Sequence, residues 1–299
     1  VVTLEALKEM HLTPEDIQLI QNDTKTCPDT GMAGASRSLY MDGNATIIAA
    51  NKLLAAMRKE DGTLRTYDEM KAEGIETKYL GRYETNTTPG LCRLDPNTGI
   101  GDPTPAFTYC LNLAEVEVDT KTGKTTVLKF TCVDFVGRIG NIDAVNGQAY
   151  SGIMHGIGFA LKEDYADVKK HANMFGAGTS YIKDVPDDID LIHIDGAISD
   201  GPFGSSGASE AFQASGHCAV LNGIYNACGV RIHEIPALPE KVKAGLDAIA
   251  KGEKPYEPKK YFLGSDMYEE LENIKENPVQ VGTQSFYVSL DDPTAERPF

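Results

Sequence analysis

The sequence predicts an α+β fold, two subdomains in which helices pack on mixed or antiparallel sheets. Three observations carry this prediction. Ala114, Val116 and Val118 alternate with Glu115, Glu117 and Asp119, and Thr125–Phe130 returns after a polar turn, which is the pattern of a β-hairpin. Residues 38–59 and 142–161 repeat apolar positions at helical spacing. The 299 residues, 41% of them apolar, can bury a large core in one big domain or two smaller ones.

Element by element, a short helix is expected from about Thr3 to Met10. Thr13 suits a helix cap and Pro14 the first turn that follows it. Ile17–Gln21 reads as a strand. Asp23–Ala35, rich in Thr, Pro, Asp and Gly, reads as a loop. The helix from Ser38 to Lys59 places Ile47, Ala50, Leu54 and Met57 on one face. Residues 60–108 carry many prolines and glycines and read as an extended connection, ahead of the hairpin over 109–135. The helix Ile142–Leu161 has Ile142, Val145, Ala149, Ile153, Ile157 and Leu161 on one face, and it also carries Gly147, Gly152, Gly156 and Gly158. Each helical glycine costs roughly 1 kcal/mol relative to alanine. The four together point to another element, or a ligand, packed close to this backbone.

Asp190–Asp195 reads as a strand, followed by a helix from Ala208 to Cys228 with Ala211, Ala214/Ser215, Cys218, Leu221 and Tyr225 on one face. Val230–Ile235 reads as a further strand, and Pro239 opens a helix to Ala250. Residues 251–299 are polar and broken by Pro255, Pro258 and Pro278, with Asp266 and Glu269 at capping-box spacing before one short helix. The expected organisation is therefore a main portion, 1–250, and a C-terminal arm, 251–299. The chain starts Val1-Val2-Thr3-Leu4, without an initiator Met or the basic flank of a signal peptide, and reads as cut or processed from something longer.

The net charge of −16 argues against nucleic acid and anionic membrane surfaces as partners. No apolar run reaches the length of a membrane span. Cys27, Cys92, Cys110, Cys132, Cys218 and Cys228 form no C-x-x-C pair and read as reduced thiols. His217 and Cys218 are adjacent, so on a helix they point roughly 100° apart and cannot easily share a metal; no residue is expected to ligate a metal.

Two turns rich in small residues run into helix starts: Gly31–Ser38 and Gly201–Glu210. Such turns aim backbone N–H groups at a partly positive helix end, where anions bind. Arg37 adds a fork of donors suited to phosphate. Neither turn matches a P-loop or a dinucleotide fingerprint. Helix capping alone also calls for Gly and Ser here. Glu210, in the first turn of its helix, either complements the helix dipole or serves as a general base.

Taken in order, Ala33-Gly34-Ala35-Ser36-Arg37, Gly147–Gly152, Gly156-Ile157-Gly158, Asp200–Glu210, Gly229–Ile232 and Pro236–Val242 resemble the C-terminal stretch of the molybdenum-cofactor-binding domain in the xanthine oxidase family of molybdenum hydroxylases. The nearest likeness is to aldehyde oxidoreductases that use molybdopterin cytosine dinucleotide. The resemblance covers about residues 1–250.

It implies an oxidoreductase that hydroxylates an aldehyde or N-heterocycle with oxygen from water, with Glu210 as the base. It implies that Ala35, Ser36 and Arg37 hold the phosphate and nucleotide part of the cofactor. Gly207, Ala208 and Ser209 would line the metal pocket, and Gln148 and His155 would lie along the cofactor. Gly207-Ala208-Ser209-Glu210 stands where the family more often has Gly-Val-Gly-Glu, and His155 where close relatives tend to have Gln. The family's iron–sulfur clusters and its first cofactor-binding half lie outside this sequence. The isolated chain is accordingly expected to lack stable cofactor and turnover, and to work in the cytoplasm with an N-terminal portion or partner subunits; a homodimer is admitted by the resemblance. Two rival readings are a non-catalytic assembly subunit and a phosphate- or nucleotide-binding domain of the same fold.

Overall fold

Alternation of apolar and polar residues makes the hairpin the frame of the molecule. In the computed structural model, which describes residues 1–21, 23–30, 33–85, 101, 106–167, 169–253, 272, 273 and 276, β1 (Tyr109–Val118) pairs antiparallel with β2 (Thr125–Phe135). Their register runs from Tyr109 opposite Phe135 to Val118 opposite Thr125, with a bulge between Glu115 and Val116. Asp119 shapes the turn, its carboxylate accepting from the Lys121 N–H at 2.9 Å and the Thr122 hydroxyl at 2.8 Å. β3 (Asp188–His193) joins β2 in parallel, so the order β1-β2-β3 is a mixed sheet. The strand sits two residues earlier than the sequence suggests, because Lys129 of β2 pairs with Asp188 at 3.3 Å and Asp190 at 2.7 Å.

The helices are α1 (Val2–Ala6), α2 (Ser38–Met57), α3 (Tyr67–Ala72), α4 (Ile142–Leu161), α5 (Met174–Ala177), α6 (Ser209–Ala214), α7 (Gly216–Cys228) and α8 (Pro239–Ala250). α4 and α7 cover one face of the sheet, and the core between them is built on Phe130, Cys132, Ile153, Phe212, Val220 and Ile224. A smaller cluster, Leu7, Ala50 and Leu54, joins α1 to α2. These are the helices on a mixed sheet that the sequence predicts. The unit described is Val1–Pro255.

The glycines of α4 have a packing reason. A Cβ on Gly152 would lie 2.6 Å from the Phe212 Cβ, and one on Gly156 would lie 2.9 Å from the Gly216 Cα. α4 thus touches the α6–α7 junction backbone to backbone. At Gly158 the close neighbours are Glu163 and Ser180, while Gly147 has nothing within 4 Å. For three of the four glycines the close partner is the chain itself.

A three-residue polar link ties β2, β3 and α4 together. Asp134 Oδ2 lies 2.7 Å from His193 Nδ1, and His193 Nε2 lies 2.8 Å from Asn146 Oδ1. Asp134 is fully buried, and burial pushes its carboxyl up while the His193 contact pulls it down.

Several expectations need correction. The helix expected over 208–228 breaks at Ser215, whose hydroxyl accepts from Asn112 Nδ2 at 2.9 Å. The inward face also differs from the expected one: Phe212, Gly216, Val220 and Ile224 point inward, while Cys218 and Tyr225 are exposed. Ile17–Gln21 is no strand, since it finds no pairing partner, and Leu19 and Ile20 are exposed. Val230–Ile235 is irregular too; Val230 is buried beside Gly245, Ile232 packs partly buried against the core, and Ile235 is exposed. The first helix is split into α1 and a 3-10 turn, Lys8–Met10. Within 60–108 a capping box of Thr66 and Glu69 starts α3. Gly31, Met32, residues 86–100 and 102–105, and nearly all of the expected C-terminal arm, with its Asp266 and Glu269, lie outside the described residues.

Among the described residues, no helix is long and apolar enough to cross a membrane, and no group of three or more His, Cys, Asp or Glu is placed to hold a metal ion. The five described cysteines, Cys27, Cys110, Cys132, Cys218 and Cys228, are free thiols.

Candidate functional site

The first of the two small-residue turns reaches α2 through a strained bend. Ala35 and Ser36 both adopt left-handed backbone, at φ 52° and 54°. For residues with a Cβ this costs on the order of 1–3 kcal/mol each and persists only where surroundings hold it. Two contacts do so: the Arg37 N–H donates to the Gly34 carbonyl at 3.2 Å, and Ser36 is gripped by the second turn.

That second turn is pinned to the end of β2. The Gly204 carbonyl accepts from the Arg138 N–H at 2.8 Å and the Ile198 N–H at 2.9 Å, and the Ser206 N–H donates to the Val136 carbonyl at 3.2 Å. Phe203 is left-handed at φ 53°. α2 braces the turn from outside, with Asn44 Nδ2 donating to the Asp200 carbonyl at 2.9 Å. Ser205 and Ser206 are buried, and the chain then enters α6 with Glu210 in its first turn.

Ser36 joins the two turns, 174 residues apart in sequence. Its Oγ donates to Glu210 Oε2 at 2.9 Å and accepts from the Glu210 backbone N–H at 3.0 Å. A Cβ on Gly207 would fall 1.6 Å from the Ser36 carbonyl oxygen, so only glycine permits this approach. The junction lines an open cavity of about 340 Å³ with Ala35, Ser36, Arg37, Tyr40, Gly207 and Glu210 among its walls. A neighbouring cavity of about 610 Å³ shares Arg37, Met41 and Thr85 and adds Arg82. Arg37 therefore stands where the two meet.

The donor set defines what this groove can hold. Arg37 and the hydroxyls of Thr85 and Thr108 suit phosphate oxygens, while the Ser36 O–H is spent on Glu210. Glu210 has one oxygen engaged by Ser36, and Oε1 accepts from no donor among the described residues. Tyr40 is buried, and burial first, then its hydrogen bond with Tyr83, pushes its phenol well above the ordinary range, so it stays protonated. Among the described residues, no cysteine or histidine lines either cavity. The described carboxylates of the two cavities, Asp29, Asp42, Glu84 and Glu210, form no group of three placed to hold a metal ion.

Of the residues singled out in the sequence, Ala35, Ser36, Arg37, Gly207 and Glu210 meet at one cavity. Ala208 packs toward the main core, and Ser209 is exposed at the start of α6; neither lines the cavity. Gln148 and His155 lie on the exposed face of α4, also outside the lining, and His155 Nδ1 sits 3.2 Å from Gln213 Nε2 of α6. Sequence reasoning missed Tyr40 and Met41, although they lie three and four residues after Arg37. It missed Thr85, Thr108 and Arg82 as well, which belong to no motif.

A family model described as molybdopterin cofactor-binding domain matches residues 1–186. The aldehyde oxidoreductase of Megalodesulfovibrio gigas is 43% identical over 244 residues, covering 82% of this chain and 27% of that protein. A probable hypoxanthine oxidase of Escherichia coli (strain K12) is 28% identical over 264 residues, covering 83% of this chain and 28% of that protein. The crystal structure of an aldehyde oxidoreductase from Desulfovibrio desulfuricans superposes with a TM-score of 0.76 at 45% identity, covering 81% of this chain and 26% of that one. The chain thus spans about a quarter of the length of these relatives.

Proposed function

The chain belongs to the molybdopterin cofactor-binding domains of the xanthine oxidase type, and from that premise we propose that it forms the cofactor-holding, catalytic-base portion of a molybdenum hydroxylase. One observation carries the reading. Ser36 ties Glu210 to the Arg37 turn across 174 residues, so a carboxylate, hydroxyls and a guanidinium share one open cavity.

The donor set fits molybdopterin cytosine dinucleotide. Ala35, Ser36 and Arg37 hold its phosphate and nucleotide portion. Gly207 gives it room, and Ala208 and Ser209 shape the turn beside Glu210. Gln148 and His155 belong to the same proposal through the face of α4 that reaches α6 at Gln213. The chemistry supplied by the bound cofactor is two-electron oxidation of an aldehyde or N-heterocycle, with water as the oxygen source.

The protein's own share is proton handling and position. Glu210 takes up a proton at Oε1 while Ser36 fixes Oε2, so the carboxylate does not rotate away. The backbone N–H of Glu210 is occupied by the same hydroxyl, which sets the α6 start against the turn. The neutral Tyr40 phenol adds no charge.

Residues 1–250 constitute the C-terminal portion of the cofactor domain in this proposal, and 251–299 an extension. Iron–sulfur clusters reside on an N-terminal portion or partner subunits, and the assembly works in the cytoplasm. The chain alone is inactive. Replacing Glu210 by Gln in the assembled enzyme tests the base: the expected loss in kcat is ~10²–10⁴-fold. A rate within a factor of two or so of the unmodified enzyme would remove Glu210 from the chemistry.

A further inference from the structure

Beside the α6–α7 junction lie two thiols that are not among the cavity's described lining residues and that the proposed function does not use. Cys110 of β1 and Cys132 of β2 have their Sγ atoms 3.4 Å apart. They are diagonal neighbours across the antiparallel ladder, Cys110 standing opposite Asp134 and Cys132 opposite Asn112. Cys132 is fully buried, and Cys110, on the edge strand of the described sheet, is partly open to solvent. Asn112, opposite Cys132 in the ladder, donates to the Ser215 hydroxyl at the helix break.

We propose that Cys110 and Cys132 are a redox modification site, which a hydroperoxide such as hydrogen peroxide converts to an intramolecular disulfide. The Cys110 thiolate attacks the peroxide, the O–O bond breaks, hydroxide leaves, and Cys110 becomes a sulfenic acid. The Cys132 sulfur then attacks the Cys110 sulfur, the S–OH bond breaks, and water leaves carrying the Cys132 proton. Two thiols and one peroxide yield one disulfide and two waters.

The roles follow from placement. Cys110 is the thiol a small oxidant can reach. Its contact with Cys132 also holds it below the ordinary thiol range, while that same contact and burial push Cys132 up. Cys132 is the resolving thiol, already in van der Waals contact and reached only from within. Moving from contact to bond needs the two sulfurs to close by little more than 1 Å, and because diagonal neighbours stand near the upper limit of disulfide spacing, β1 and β2 shift slightly toward each other as the bond forms. Cys218, exposed and without a cysteine partner among the described residues, is the internal comparison.

The test treats the full chain with stoichiometric hydrogen peroxide and follows intact mass, peptide mapping after alkylation, and capture by dimedone. The expected result is loss of the mass of two hydrogens, a Cys110–Cys132 linked peptide, and recovery of both thiols with dithiothreitol. In Cys132→Ser the mass loss disappears and Cys110 is trapped by dimedone. In Cys110→Ser, Cys132 stays a free thiol. Dimedone capture of Cys110 in the unmodified chain to the same extent as in Cys132→Ser overturns the proposal. So does oxidation of Cys218 ahead of Cys110 with no linked peptide.

Discussion

Ser36 does at the scale of one residue what neither turn can do alone. Its hydroxyl both donates to the Glu210 carboxylate and accepts from the Glu210 N–H, and the left-handed backbone that aims it there has no glycine to ease it. Glu69 offers a titratable counterpart away from the site. Lys59 and the Thr66 N–H bond its two oxygens at 2.7 Å each, and these contacts, Lys59 first, lower its pKa from 4.5 to about 2. A carboxylate depressed in the folded state contributes stability above its unfolded pKa and loses it as pH falls through the folded one. Thermal unfolding followed between pH 5 and 2 should therefore show Glu69→Gln flattening the acid loss of stability relative to the unmodified chain; parallel curves would deny Glu69 this role. The cavity-lining residues were legible where they sat at helix starts rich in Gly and Ser, as Ser36, Arg37, Gly207 and Glu210 do. Thr85 and Arg82 were not, because ordinary residues became lining only when distant segments met, whereas Tyr40, one turn after Arg37 on α2, was within reach of helical spacing.

Elements were legible in proportion to their periodicity. The hairpin and α4 lie where alternation and helical spacing put them. Short apolar runs misled: Ile17–Gln21 and Val230–Ile235 look like strands locally, but a strand needs a partner, and neither has one. The break at Ser215 depends on Asn112, about a hundred residues away, so local spacing could not announce it. The glycines of α4 separate packing from propensity. Gly156→Ala forces a Cβ against Gly216 and should cost about 1–3 kcal/mol. Gly147→Ala enters open space in the same helix and should gain about 0.5–1 kcal/mol. Denaturant melts that shift in opposite directions support this account; equal shifts sink it. The polar link through His193 is a second element-scale feature. His193→Ala strands the buried Asp134 carboxyl and should cost roughly 3–5 kcal/mol, unless calorimetry finds the variant as stable as the parent.

At the scale of the whole molecule, a mixed sheet and its helices fix two distant turns against each other, and the site exists only because the core sets that spacing. The order of motifs made the family resemblance legible even where single motifs were weak. The placement of Gln148, His155 and Ser209 outside the cavity lining was not legible, since a motif names residues and not the faces they present. The chain spans about a quarter of its relatives' length, and the proposed enzyme includes the portion they carry beyond it. The central claim is that the two turns hold one molybdenum cofactor and that Glu210 is its base. The decisive measurement is molybdenum content together with aldehyde turnover of the assembled protein, unmodified and as Glu210→Gln and Arg37→Ala. The account predicts that Glu210→Gln keeps its molybdenum and loses most of its rate, while Arg37→Ala loses molybdenum. Full turnover by Glu210→Gln, or no molybdenum in the unmodified assembly, would contradict it.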